Sequence, residues 1–153
     1  MSAVLVTGMS GVGKSAVLAE LARRGHRVVD TDEGDWFDPA SPQEPLWRHD
    51  SMMELLTGTD DESLFVAGTV ANQGRFYHHF SAIVLLHAPL EVMLERISTR
   101  DNNDFGKTDV QRQKIIEDTE QVVPLLRAGA TVEIDTRRPL TDVADRLEEI
   151  ARG

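Results

Sequence analysis

A three-layer α/β sandwich is the fold class this sequence predicts, and three observations carry it. Short apolar runs alternate with longer stretches of helical periodicity along the chain. The first of these runs, Ala3 to Thr7, feeds a glycine-rich turn that opens a helix. Finally, 153 residues that are 41% hydrophobic and 27% charged suffice to bury one full core without disulfides or structural metal. The chain has no Cys, which also excludes thiol catalysis and zinc-finger arrangements.

Each element has its own justification. AVLVT at Ala3 to Thr7 is continuously apolar, the pattern of a strand covered by helices on both faces. Lys14 to Arg24 places Val17, Leu18 and Leu21 on one side, and Gly25 stops the helix. Arg27 to Asp30 is a second strand; residues 31–45, acidic and broken by Gly34, Pro39, Pro42 and Pro45, are loop. A helix is expected over Leu46 to Leu56, a third strand over Leu64 to Ala67 and a fourth over Ile83 to Leu86. Pro89 opens the next helix, where its missing N–H costs nothing, and Leu90, Met93, Leu94 and Ile97 form its apolar stripe. Polar residues 101–109 are loop, and a long helix follows from Val110 towards Arg127, with Pro124 expected to kink or shorten it. Thr131 to Ile134 is a fifth strand, and Leu140, Val143, Leu147 and Ile150 face inward from a closing helix.

Sixteen Lys plus Arg against 26 Asp plus Glu leave a formal charge of −10. That balance argues against a nucleic-acid partner or an anionic membrane surface. The N-terminus lacks the basic-then-apolar order of a signal peptide, and no apolar run reaches the ~18 residues of a membrane span. The expectation is one cytoplasmic domain over residues 1–153, monomeric or homodimeric.

The strongest motif is Gly8-Met9-Ser10-Gly11-Val12-Gly13-Lys14-Ser15, a full GxxxxGK[ST] match between an apolar strand and an amphipathic helix. Glycines at 8, 11 and 13 let the backbone curl until several N–H groups point at one polyphosphate, and the helix N-terminus adds partial positive charge. The nucleotide contacts are therefore assigned to Gly8, Ser10, Gly11, Val12, Gly13, Lys14, Ser15 and Ala16. Lys14 reaches the β- and γ-phosphates of ATP, and the Ser15 hydroxyl completes a Mg²⁺ shell.

Ligands in open parallel sheets collect beyond the C-terminal strand ends. Strand two ends in Asp30-Thr31-Asp32, whose carboxylates face the same way on extended backbone. One is suited to hold Mg²⁺ through water, the other to orient or deprotonate an acceptor hydroxyl. Strand three lacks the terminal Asp of motor and switch NTPases, which moves the metal-binding burden to Asp30. After it, Gly68 permits close approach of a substrate, Asn72 and Gln73 offer amide donors and acceptors, and Arg75 offers a fork for an anion. Arg96 and Arg100 lie four apart on one helix and would clamp a polyphosphate. The segment that follows, residues 100–110, is a lid suited to exclude water. Trp36, Phe37 and Trp47 either stack on a ring or anchor the acidic loop. Phe76-Tyr77-His78-His79-Phe80 lacks a third metal ligand and reads as packing.

The phosphate loop, Asp30-Thr31-Asp32, the Arg96-to-Lys107 segment and Ile134-Asp135-Thr136-Arg137-Arg138-Pro139-Leu140 together resemble the small P-loop kinases, the shikimate kinase and nucleoside monophosphate kinase group. The resemblance implies a P-loop NTPase fold with a five-stranded parallel sheet of order 2-3-1-4-5 and a short lid. It implies that Asp32 holds the acceptor hydroxyl, that Asp30 helps place Mg²⁺, and that Arg96 and Arg100 touch phosphates. Asp135, Arg138 and Pro139 would pack beside the adenine, and Arg112 would reach phosphates or the acceptor. Residues 34–59 stand where the family binds its acceptor, with Arg48 the arginine available there. Where shikimate kinases carry a triple glycine, this chain has Gly68-Thr69-Val70. The expected activity is ATP-dependent phosphoryl transfer to a small-molecule hydroxyl or phosphate. A nucleoside monophosphate kinase proper and an acceptor-free NTPase or nucleotide-binding regulator are the alternatives.

Overall fold

The computed structural model describes residues 3–9, 11–41, 43–58, 63–99 and 107–153. Its centre is β1 (Ala3–Thr7), buried at every position. On one side β1 pairs with β3 (Leu64–Ala67), which pairs with β2 (Arg27–Asp30); on the other it pairs with β4 (Ala82–His87), which pairs with β5 (Val132–Asp135). All four pairings are parallel, and the order is β2-β3-β1-β4-β5, as the resemblance implies.

Alternation along β1 divides the core into two layers. Val4 and Val6 face α1 (Lys14–Arg23) and α5 (Leu140–Arg152), packing with Val17, Leu18, Leu21, Val143 and Leu147. Ala3 and Leu5 face the opposite layer, with Trp47, Phe76, Phe80 and the residues Met52, Leu55 and Leu56 of α2 (His49–Leu56). The register sets Asp30 beside Ala67, Ala67 beside Val6 and His87 beside Asp135. The strands therefore finish along one edge, where the loops that leave their C-terminal ends can reach a common ligand.

Charges lock α1, the helix that carries the phosphate loop, to α5. Glu20 is nearly buried and accepts from Arg23 at 2.6 Å and Arg24 at 3.0 Å. These bonds, from Arg23 first, hold its carboxyl at about 2. Arg24 then reaches Asp145 at 2.7 Å and Glu148 at 2.6 Å on α5.

Three local expectations change. The helix expected from Leu46 starts at His49, because residues 46–48 turn back on 36–38: Asp38 N–H donates to Leu46 O, Arg48 N–H donates to Trp36 O, and Phe37 bridges Trp47. The long helix α4 (Asp109–Gly129) runs through Pro124. Its start is capped by Thr108, whose side chain accepts from the Gln111 N–H at 3.2 Å. Residues Gln73–His79 form a 3-10 helix that no apolar period announces. Between β4 and α4, α3 (Leu90–Thr99) buries Met93 and Ile97. No described helix is long and apolar enough to cross a membrane.

Candidate active site

The phosphate loop leaves β1 at Thr7 and enters α1 at Lys14. Gly11 has φ 86°, and a β-carbon there would lie 2.9 Å from the Met93 carbonyl and 3.0 Å from Ile97. The loop is thus seated on α3 in a shape open to glycine alone. Gly13, at φ 102°, caps α1 without a side-chain bond, and the first turn holds no acidic residue. Its N–H donors stay available to an anion. Val12 is buried beneath the loop, so its share in binding a nucleotide falls mainly to its backbone.

Lys14 folds back over the loop and donates to the carbonyls of Gly8 and, at 3.3 Å, Met9. Burial pushes its ammonium down to about 8; Asp32 and Asp30 oppose that shift without cancelling it. Thr31 points into the core, donating to Ala67 O at 2.8 Å, which leaves Asp30 and Asp32 on the other side of the strand end. Asp30 accepts from the Ser15 hydroxyl at 3.2 Å and from the Asp32 N–H at 3.0 Å. Asp32, open to solvent at residue level, has its carboxyl raised by partial desolvation and by Asp30, against the pull of Lys14. Gly8, Met9, Lys14, Asp32 and Thr69 line a cavity of about 250 Å³.

Beyond β3, Thr69 takes up all of its hydrogen-bonding capacity on the loop. Its hydroxyl donates to Gly8 O at 2.7 Å and accepts from Gly8 N–H at 3.2 Å and from the Thr7 hydroxyl at 3.0 Å. Thr7 in turn accepts from the Gln73 amide, which also donates to the Tyr77 hydroxyl at 2.8 Å.

Two further cavities flank the loop. On one side, Val12, Gly13, Ala16, Val17, Arg96, Thr136, Arg138, Leu140 and Val143 line about 310 Å³. On the other, a cavity of about 820 Å³ is bounded by Met9 and Thr69, the residues 43–45, the 3-10 helix and α4. Met9 and Thr69 also line the small cavity around Lys14 and Asp32. Met9 and Thr69 are therefore a common wall between the large cavity and the one that holds the carboxylate and the ammonium.

The structure brings together Gly8, Lys14, Ser15, Asp30 and Asp32, and it sets Arg138 and Ala16 beside the smaller flank. Several other side chains have partners that the sequence did not suggest. Arg96, expected over a transferring phosphoryl, spends its guanidinium on Thr136 (hydroxyl at 2.9 Å, carbonyl at 2.7 Å) and, more loosely, on Gly11 O and Val12 O. It braces the loop from behind. Asp135, expected beside the adenine, is held by Arg137 at 2.6 Å and kept near 2 by those bonds. Pro139 caps α5 and does not line the cavity.

On the acceptor side, the space opposite Gly68 is filled by the Thr31 hydroxyl and, at 2.9 Å, the Trp47 ring. Its smallness accommodates a tryptophan, not a substrate. Asn72 clasps the Trp47 backbone, accepting from N–H at 2.9 Å and donating to O at 3.1 Å. Gln73, 3% exposed, has its amide spent on Val70, Thr7 and Tyr77. Arg48 pairs with Asp35 at 2.6 Å. Among the described residues, Arg48, Arg75 and Arg112 line none of these three cavities, and from 34–59 Gln43, Glu44 and Pro45 line the large one. Trp47, 1% exposed, anchors its segment, with its indole N–H on Thr31 at 3.0 Å. Ser10, Arg100 and most of the expected lid lie outside the described residues.

Sequence reasoning missed Thr69, Thr136, Met9 and the wall supplied by α4. Thr69 and Thr136 immediately follow residues it singled out, so a polar side chain just past a strand end was the available signal. The α4 residues carry none, because only tertiary packing sets them beside Met9.

The family model described as AAA domain matches residues 4–120. A curated relative, HPr kinase/phosphorylase of Bacillus cereus, is 35% identical over 124 residues, covering 76% of this chain. The aligned chain spans 35% of that relative's length, about a third. Among solved structures, shikimate kinase from Acinetobacter baumannii in complex with shikimate superposes with a TM-score of 0.66 at 22% identity, over 98% of this chain and 92% of that one. Shikimate kinase from Bacteroides thetaiotaomicron gives 0.68 at 15% identity over 99% of each chain. The fold is the three-layer P-loop fold that these small kinases share.

Proposed function

The chain belongs to the AAA domain family, and from that premise we propose that it transfers the γ-phosphoryl group of ATP to a hydroxyl group of an acceptor molecule. One observation carries the reading: Lys14 and Asp32 line a single small cavity, and Met9 and Thr69 set it side by side with a large one. A nucleotide-binding regulator would need no such chamber beside its phosphates.

In this reading the α1 N-terminus and the loop amides hold the polyphosphate, and Lys14 balances the charge that spreads over the phosphoryl oxygens. The base lies in the smaller flank, against Ala16, Val17 and Leu140, with the Arg138 guanidinium on its face. Arg96 acts at one remove by fixing the loop against Thr136. Asp32 orients the acceptor hydroxyl and takes its proton as the oxygen attacks. A carboxylate raised above its usual range is the better base for that step.

Ser15 and Asp30, 3.2 Å apart at the mouth, are the hard oxygen donors suited to Mg²⁺, one directly and one through water. When bound, the ion supplies charge neutralisation at the phosphates.

A second reading has specific support. The curated relative is called HPr kinase/phosphorylase, which favours a protein such as HPr as acceptor. Both readings are tested by ADP release from Mg·ATP. The panel holds small hydroxylated compounds, nucleoside monophosphates, a serine-bearing protein and an acceptor-free control. Release stimulated by a hydroxylated compound is expected; release that no acceptor stimulates would overturn the transfer reading. Stimulation by the protein alone would move the acceptor to the second.

A further inference from the structure

The large cavity has a chemical character of its own. Its floor is Met9, Val70 and Tyr77, and its wall is Val122 and Leu126 of α4. Tyr77 is fixed from two sides: its hydroxyl accepts from Gln73, and its ring packs where a side chain on Gly129 would stand. The apolar surface is thus preformed.

Its charges are few and unbalanced. Lys114 is the one cation lining it among the described residues, and Asp118 pairs with that ammonium at 3.3 Å. Glu44, exposed on the opposite rim, has no cation against it among the described residues. Across Met9 and Thr69 the neighbouring cavity adds one carboxylate, Asp32, and one ammonium, Lys14, which leaves that balance unchanged. Of the arginines expected on the acceptor side, Arg48 pairs with Asp35, and neither Arg75 nor Arg112 is among the described residues that line the cavity. A carboxylate or phosphate on the acceptor would enter a chamber whose described lining carries two carboxylates, one ammonium and no guanidinium, an arrangement that repels like charge.

Resting on the transfer reading above, we propose that the acceptor is a neutral or cationic hydroxyl compound with an apolar body, and that carboxylate- or phosphate-bearing alcohols are excluded. Its body lies against Tyr77, Val122 and Leu126, and its hydroxyl points past Thr69 to Asp32. The hydroxyl oxygen forms the new P–O bond with the γ-phosphorus, the bond to the β-phosphate bridging oxygen breaks, and ADP leaves. The hydroxyl proton passes to Asp32 and then to solvent.

Three probes of one shape separate the possibilities: benzyl alcohol, 4-(aminomethyl)benzyl alcohol and 4-(hydroxymethyl)benzoate. Binding to the protein with Mg·ADP is read by ligand-observed NMR, which needs no turnover. The amine and the neutral alcohol are expected to bind at least tenfold more tightly than the carboxylate. Ala71→Trp, which fills the exposed rim of the cavity, should abolish that binding and leave Mg·ADP affinity unchanged. Glu44→Lys, also at an exposed rim position, should narrow the gap between amine and carboxylate several-fold. Carboxylate binding equal to or tighter than amine binding overturns the proposal, and so does the failure of every probe to bind at millimolar concentration. Failure of the protein to bind Mg·ADP would instead sink the transfer reading itself, so the two are told apart.

Discussion

The two flanks of the phosphate loop are built on opposite principles. The smaller flank, between α1 and the β5–α5 turn, carries Arg96 and Arg138 among its lining residues and no carboxylate. The larger one is mostly apolar, carries Glu44 and Asp118 against Lys114, and borders the small cavity that holds Lys14 and Asp32. Cations thus collect where a polyphosphate and its base would lie, and acids where the acceptor would enter. A transferase gains from that asymmetry, because a like-charged acceptor cannot settle in the nucleotide's place and the nucleotide cannot slide into the acceptor's.

The sharpest way to break the comparison is Asp32→Asn, which removes the acid at the junction. Acceptor-dependent transfer is expected to fall on the order of 10²–10⁴-fold, the span of a lost general base, while affinity for Mg·ATP changes less than about threefold. Steady-state kinetics with parallel nucleotide titration checks both. An unchanged transfer rate would remove Asp32 from the chemistry and leave the acidic flank without a purpose.

Next in size is Gly68→Ala, which tests whether the acceptor flank depends on a rigid back wall. A β-carbon there would collide with the Thr31 hydroxyl and stand 2.9 Å from the Trp47 ring, with both partners already fixed by hydrogen bonds. Overpacking of this kind costs roughly 1–3 kcal/mol, to be read as a lowered denaturant midpoint. Wild-type stability in this variant would show that Trp47 is free to shift.

How far these flanks can be read from sequence differs in the same way as their chemistry. The nucleotide side was legible because GxxxxGK[ST] writes backbone shape and helix polarity into eight consecutive residues, and strands two and three coincide with their expected bounds, Arg27–Asp30 and Leu64–Ala67. The pairing of Asp30 with Asp32 followed from the period of an extended chain. The acceptor side was largely illegible. Asn72, Gln73 and Gly68 carry the residue types of a binding site, yet each is spent on Trp47, Thr7 or Thr31. Amides and glycines serve packing and recognition with the same atoms, and only the partner's position tells which. Arg96 shows the same limit: helical spacing pairs it with Arg100 in the sequence, while the neighbour it meets, Thr136, is 40 residues away.

Arg96→Ala tests the brace on the base-side flank. Its loss frees the carbonyls of Gly11, Val12 and Thr136 to water, so folding should suffer little. The loop then samples shapes that do not bind, and nucleotide affinity is expected to drop about tenfold, some 1.4 kcal/mol. The turnover of bound nucleotide should stay within a few-fold. A collapse of turnover at saturating nucleotide would instead place this guanidinium on the transferring phosphoryl, the role its position in the sequence first suggested.

The smallest effect concerns the ammonium between the two flanks. Burial brings the Lys14 ammonium down to about 8 in the folded protein from the 10.5 of an ordinary lysine, so between those values the unfolded chain binds the proton that the folded one has released. Stability of the nucleotide-free protein should therefore rise with pH across that window, and below about 8 the cost of holding a partly desolvated charge is present in full. Lys14→Met removes the cost. It is expected to stabilise the nucleotide-free protein at pH 7 by about 1 kcal/mol, well short of the full linkage value because the side chain keeps some contact with solvent. The advantage should shrink from pH 8 upward and vanish by about 10.5. Adding Mg·ATP should reverse the order, since the wild-type ammonium then meets the phosphates it is held for, whereas the methionine cannot respond. Thermal unfolding of both proteins at pH 7 and pH 10, with and without nucleotide, reads all four corners. If wild type proved the more stable without nucleotide at pH 7, its bonds to Gly8 and Met9 would outweigh desolvation, and Lys14 would be a structural clasp before it is a ligand for phosphate.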